Sequence, residues 1–215
     1  KYMRSRKKRL CGSLLYALID KGTVKGPAAV LAKKLARSGV DIIQLRDKHS
    51  SGEKILREAA AISKALKKTG CLFIVNDFPG IAKAAGSDGV HIGQSDLTIE
   101  EARNIVGRGR LVGVSCSNLK QALKAQEHGA DYIGIGPVFR TRTKQGCKPI
   151  GLRKIQELSK RVKIPVFAIG NINRENLPGV ISCGMRRVAV CRAILKSGNI
   201  QKSVEYFSRE LRKIK

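Results

Sequence analysis

Residues 72–96 read LFIVNDFPGIAKAAGSDGVHIGQSD, and this stretch decides the fold. Leu72–Val75 is a short all-apolar run, as expected of a strand buried on both faces. It breaks at Asn76 and Asp77. A segment long enough for a short helix follows, with Pro79 near its start, where a missing N–H costs little. A second strand, Gly89–Ile92, ends in another polar cluster that includes Gln94 and Asp96. A helical connection allows the two strands to be parallel neighbours. Both clusters then share the carboxyl edge of the sheet, where ligands bind in parallel α/β proteins.

The same alternation continues outward. Upstream, Ser13–Ile19 and Asp41–Leu45 read as strands around an amphipathic helix at Gly26–Ser38, stopped by Gly39. Ser51 opens a helix to Lys68, and Lys54 stands where a capping box would need Glu. Downstream, Thr98 and Glu101 form a capping box for Thr98–Val106. Then come strand Leu111–Ser115, helix Asn118–His128 and strand Asp131–Gly136. A long Thr-, Lys- and Gly-rich connection, Pro137–Pro149, leads to helix Gly151–Val162. Strand Pro165–Ile169, helix Asn173–Cys183, strand Arg187–Cys191, and helical Arg192–Lys196 and Ile200–Arg212 complete the chain. Eight apolar strands alternating with helices predict an α/β fold, a single (β/α)8 TIM barrel over residues 13–215. Residues 1–12 read as a basic N-terminal arm, frayed over Lys1–Leu10. An open doubly wound sheet fits less well, because the dinucleotide and P-loop glycine fingerprints are absent.

The 215 residues suit one domain with a real core. No apolar run approaches the roughly 20 residues that span a bilayer, so the expected setting is cytoplasmic, with no membrane partner. The net charge of +27 admits a nucleic-acid partner. Yet the cations are spread over nearly every predicted helix, and aromatics for base stacking are only 4% of the chain. The reading preferred is a lysine-rich surface whose potential favours small anionic substrates. The six cysteines lack metal-site spacing and are expected to be reduced thiols, with Cys71, Cys183 and Cys191 packed in the core.

In such a barrel the loops after the strands build the site. After the second strand, alternation puts Gln44, Arg46 and Lys48 on one side and Leu45 and Asp47 on the other. Two cations and an amide suit a multi-oxygen anion. Asp77 and Asp96, from adjacent strand ends, suit Mg²⁺, although either could instead cap the helix that follows. His91 reads as packing beside its strand rather than catalytic. Ser115 could reach the site or serve the start of the next helix. Thr141, Thr143 and Lys144 interleave hydroxyls and cations on a loop suited to covering phosphate. Gly170-Asn171 and Cys191-Arg192 occupy the common phosphate-binding position of these barrels. The sum points to one substrate carrying pyrophosphate, a second carrying phosphate, and charge stabilisation without a protein nucleophile.

Gln44-Leu-Arg-Asp-Lys48, Asn76-Asp77, Asp88-Gly-Val-His-Ile-Gly-Gln-Ser-Asp96, Val114-Ser115, the stretch Asp131–Phe139, Thr141-x-Thr-Lys144 and Ala168-Ile-Gly170 together resemble thiamine phosphate synthase, in that family's order, over about residues 13 to 195. The resemblance implies a Mg²⁺-dependent transferase that joins hydroxymethylpyrimidine pyrophosphate to a thiazole phosphate. It implies a dissociative route: pyrophosphate leaves, a pyrimidine cation forms, and the thiazole nitrogen attacks. By the same analogy Arg46, Lys48, Asn76 and Lys144 hold pyrophosphate and Asp77 and Asp96 hold the metal. Gln44 meets the pyrimidine, and Ser115 sits beside the departing group. Thr141, Thr143 and Gly170, with Cys191 and Arg192 beside them, meet the thiazole phosphate. Arg46, Ser115 and Lys144 are the expected catalytic set. Against the family pattern, Asn171 and Arg187 replace glycines, Arg192 replaces a small residue, and Cys116-Ser117 replaces Thr-His. The first three place the departures on the thiazole-phosphate side. Two rivals are a thiazole tautomerase paralogue, which has His where this chain has Pro137 and loses much of the pyrophosphate set, and a basic nucleic-acid-binding barrel. Oligomeric state is left open.

Overall fold

The computed structural model describes residues 2–141 and 148–213. Eight strands close into one barrel in chain order: β1 (Leu15–Asp20), β2 (Ile42–Arg46), β3 (Leu72–Asn76), β4 (Gly89–Ile92), β5 (Leu111–Cys116), β6 (Tyr132–Ile135), β7 (Val166–Ile169) and β8 (Val188–Val190). Every neighbouring pair is parallel, and β8 closes onto β1 with Leu15 opposite Val188. The described helices are α1 (Tyr2–Gly12), α2 (Ala28–Arg37), α3 (Gly52–Leu66), α4 (Pro79–Ala84), α5 (Ile99–Val106), α6 (Leu119–Glu127), α7 (Gly151–Arg161), α8 (Leu177–Ser182), α9 (Arg192–Leu195) and α10 (Ile200–Arg212). None is long and apolar enough to cross a membrane.

The strands are apolar throughout because both of their faces are covered. Outward residues such as Ile19, Leu45, Val75 and Val112 pack under the helices with Leu35, Ile62 and Phe207. Inward residues, among them Leu18, Ile42, Leu72, Ile74 and Leu111, fill the lower barrel. Each such side chain contributes roughly 1.5–3 kcal/mol when fully buried. Besides the Tyr16 and Tyr132 hydroxyls, polar groups on the inward face gather toward its upper end: Asp20, Gln44, Arg46, Asn76, His91 and Ser115. Helix starts follow the local chemistry. Thr98 and Glu101 make the capping box of α5, and Ser51 and Asn118 cap α3 and α6 through their side chains.

Two expectations change. The helix expected from Asn173 begins at Leu177. Asn173 Oδ1 instead accepts the N–H groups of Glu175 and Asn176, a turn that competes with helix. The N-terminal arm is not frayed: it is helix α1, docked across the lower end of the barrel with Leu10 1% exposed in the inner core. Such a short helix is marginal alone and needs tertiary partners. They come from a repeated device. Asp41, Asp88 and Asp131 each stand just before an even-numbered strand and accept backbone N–H bonds at the preceding odd strand, from Leu14 and Leu15, from Phe73, and from Val112. Their other oxygens attract cations. Arg6 and Arg9 of α1 pair with Asp88, Lys7 with Asp131, and Arg212 of α10 with Asp41. Before β8 the equivalent position is Arg187, whose Nη2 donates to the Cys11 carbonyl at the end of α1.

Candidate active site

The upper end of the barrel opens into a cavity of about 440 Å³, a size suited to small-molecule ligands. Gln44, Arg46, Lys48, Asn76, Asp77, Asp96, Ser115, Thr141, Gly170, Cys191 and Arg192 all line it. Thr143 and Lys144 lie outside the described residues. The alternation expected of β2 holds: Gln44, Arg46 and Lys48 face the cavity, whereas Leu45 packs outward and Asp47 accepts the N–H groups of His49 and Ser50.

The carboxylate pair stands on an unusual piece of backbone. Phe78 N–H donates to the Asn76 carbonyl at 2.9 Å, closing a γ-turn around Asp77, which has φ 65°. Asp77 N–H is anchored to the His91 carbonyl on β4. Among the described residues only Asp77 and Asn171 combine a side chain with positive φ, and both line the cavity. Such strain, of order 1–3 kcal/mol per residue, gathers at functional sites. Asp77 does not cap α4, whose start at Phe78 has no side-chain cap, and Asp96 does not cap α5, which Thr98 caps. Asp96 accepts Gly93 N–H at 2.6 Å, and Asp77 pairs with Lys48 Nζ at 3.1 Å. Burial pushes the Asp77 carboxyl up, and the neighbouring Asp96 charge adds to this, against the pull of Lys48.

On the adjacent strand end lies Arg46, which donates to Asp20 Oδ1 at 3.1 Å. Asp20 is 6% exposed and also accepts from Gly22 N–H and the Thr23 hydroxyl, so it holds the guanidinium in one orientation. Across the mouth, Gly170 has φ 114°, and a Cβ there would meet Pro137 Cα at 2.6 Å. Asn171 takes the left-handed conformation that Asn tolerates, with its carbonyl accepting Asn176 Nδ2 at 2.9 Å. Arg192 begins α9 at the rim. Arg187, expected among the thiazole-phosphate departures, is at the other end of the barrel holding α1, so it has no part in the mouth. Cys191 was expected in the core. It is partly exposed and lines the cavity, its thiol pushed up to about 11, first by burial and then by the charge of Asp20. Cys71 is buried and Cys183 partly exposed, and the described cysteines are free.

The floor consists of side chains whose role was not read from the sequence. Phe167 meets Tyr16 and Tyr132 edge-on, with centroids 5.4 and 5.8 Å apart. Burial raises both phenols far above their ordinary range, so they stay neutral. His91, expected to pack beside its strand, is buried there, points inward beside Tyr132 and reaches Ser115. The missed signal was parity: β4 pairs His91 with Asn76, so a site residue on one strand implies inward residues at its partner's register.

The family model described as thiamine monophosphate synthase matches residues 15–194. The chain belongs to the thiamine monophosphate synthase family. It is 40% identical to the thiamine-phosphate synthase of Methanocella arvoryzae over 188 residues, covering 86% of this chain and 89% of that protein. It is 38% identical to the thiamine-phosphate synthase of Clostridium novyi over 189 residues, covering 87% and 93%. The structure of a thiamine phosphate pyrophosphorylase from Pyrococcus furiosus superposes with a TM-score of 0.86 at 29% identity, covering 96% of this chain and 98% of that one. The match to the synthase family spans β1 to β8, so all eight strand ends that build the mouth fall within it.

Proposed function

We propose that this mouth joins a pyrimidine diphosphate to a thiazole phosphate, releasing pyrophosphate and forming thiamine monophosphate. The observation that carries the reading is the pairing of two carboxylates with flanking cations on adjacent strand ends, Asp77 and Asp96 beside Lys48 and Arg46. Asp77 and Asp96 would hold Mg²⁺. The donors fit: both are hard oxygens, and burial together with the neighbouring Asp96 charge lifts the Asp77 carboxyl. The site offers two carboxylates and not a full protein cage, and Mg²⁺ characteristically uses one or two carboxylates with water and phosphate oxygens. When bound, the metal would neutralise charge on the departing pyrophosphate.

The chain's own residues supply the rest. Arg46, held by Asp20, offers a fixed fork to phosphate oxygens, and Lys48 adds a point charge; with Asn76 they would bind and orient the pyrophosphate. Gln44 would meet the pyrimidine, and Ser115 the reacting centre. Gly170 and Asn171 would bring backbone N–H groups to the thiazole phosphate, with Thr141, Cys191 and Arg192 beside them. Thr143 and Lys144 belong to the same proposal through the family resemblance. The aromatic floor would shield a carbocation formed above it from water. A cytoplasmic setting and small phosphorylated substrates are part of this reading. The test is pyrophosphate release with both substrates, with and without Mg²⁺. Release that needs both substrates and the metal is expected; no turnover in any of these conditions would reject the function.

A further inference from the structure

Beneath the cavity a chain of side-chain hydrogen bonds crosses the barrel from β2 to β5. Gln44 Nε2 donates to Tyr16 Oη at 2.7 Å, and the Tyr16 and Tyr132 hydroxyls are 3.1 Å apart. Tyr132 Oη is 3.2 Å from His91 Nδ1, and His91 Nε2 is 2.9 Å from Ser115 Oγ. All of these residues except Ser115 are buried. Space for the chain is carved by glycine. A Cβ on Gly113 would come within 2.1 Å of Tyr132 Cζ, and one on Gly134 within 3.4 Å of His91 Cε1.

The chain has a direction. Each hydroxyl carries one proton, and so does a neutral imidazole. The Gln44 amide nitrogen can only donate, so Tyr16 Oη accepts there and its own proton passes to Tyr132. The Tyr132 proton then goes to His91 Nδ1, which leaves the imidazole proton on Nε2, directed at Ser115 Oγ. Ser115 accepts from below and keeps its hydroxyl proton for the cavity. The opposite order would leave the buried Tyr16 proton without an acceptor, since its hydrogen-bond partners among the described residues are Gln44 Nε2 and Tyr132 Oη. A buried donor left unpaired is costly.

We infer that His91 is a positioning residue: the relay imposes its Nε2–H tautomer, and this tautomer holds Ser115 as a hydrogen-bond donor toward the substrate. The inference rests on the proposed function in one respect, that Ser115 faces the reacting centre. There its proton meets an oxygen that gains negative charge as the pyrophosphate leaves, a contact stronger in the transition state than in the bound substrate.

The experiment has two arms. In the first, the full chain is labelled with ¹⁵N-histidine and its imidazole resonances are recorded at pH 8, with His91→Gln identifying the His91 signals. The Nε2–H pattern is expected, and the Nδ1–H pattern overturns the relay. Because this arm needs no turnover, an inactive protein showing Nε2–H rejects the proposed function while supporting the relay. In the second arm, Tyr132→Phe removes one hydroxyl and keeps the ring. It is expected to mix the His91 tautomers and to lower kcat roughly ten-fold, a modest share of what a positioned proton donor contributes. KM for both substrates should stay within about twofold, the signature of a contact made only in the transition state. Unchanged kcat with unchanged tautomer would overturn the inference. His91→Gln, which retains a donor amide, should recover more kcat than His91→Ala; equal loss in both would count against a positioning role.

Discussion

At the lower end of the barrel, Asp41, Asp88 and Asp131 are saturated, each between strand N–H groups and a cation from α1 or α10. At the upper end, Asp77 sits on strained backbone beside the exposed Asp96, and Lys48 pairs with Asp77. The same residue type, placed before a strand in one case and after it in the other, does opposite work. Before a strand it satisfies backbone groups and clamps neighbouring elements. At Asp77 and Asp96, after β3 and β4, it keeps charge available for a ligand, whereas Asp20 and Asp47 are taken up by Arg46 and by backbone N–H groups. Strain and unbalanced charge persist at the mouth because the clamped end holds the barrel rigid beneath it.

That contrast can be broken at either end. The largest effect is expected from Asp96→Ala, which should lower turnover on the order of 10²–10³-fold, in keeping with the loss of one preorganised charge-stabilising group. Its melting temperature should stay near that of the parent, read by circular dichroism. Near-normal turnover would show that Asp96 serves only the Gly93 turn. Asp131→Ala should do the reverse. Removing a carboxylate that is 2% exposed leaves the Val112 N–H unpaired and takes the charged partner from Arg103, so stability should fall by about 2–4 kcal/mol by urea titration while kcat of the folded protein holds.

Smaller changes sharpen the boundary between the two ends. Arg192→Ala should raise KM for the thiazole phosphate roughly ten-fold, the worth of one charge-assisted hydrogen bond. An unchanged KM would place Arg192 outside the site. Asn171→Gly should matter least. Relief of the positive φ and the added freedom of the unfolded chain oppose each other, so stability should move by under about 0.5 kcal/mol. KM should not change, because Asn171 already adopts the backbone that glycine would take.

The sequence carried a large share of this molecule. The run of short apolar strands between capped helices is set by local periodicity, and each strand appears within a few residues of its expected place. The site residues that sit in polar clusters after strands, such as Arg46, Asp77 and Asp96, were legible for the same reason, since a break in an apolar run marks the carboxyl edge. Three things were not legible. Tyr16, Tyr132 and Phe167 lie inside strands that are apolar on both faces, so nothing in the alternation says which residues look into the barrel. The Asp20 clamp on Arg46 depends on β1 lying beside β2 in a particular register. The helical arm depends on carboxylates far away in sequence: Arg6 meets Asp88, and Arg187 reaches Cys11.

The amino-acid order by itself thus determined the eight-fold strand–helix repeat and the chemistry of its strand ends, because those follow from local pattern and from the fact that parallel strands present their carboxyl ends together. Only the tertiary structure decided which faces of β1, β4, β6 and β7 look inward, which cations α1 commits to the closed end, and that His91 stands under Ser115. Those depend on barrel closure and register, which bring residues separated by scores of positions to within hydrogen-bond distance.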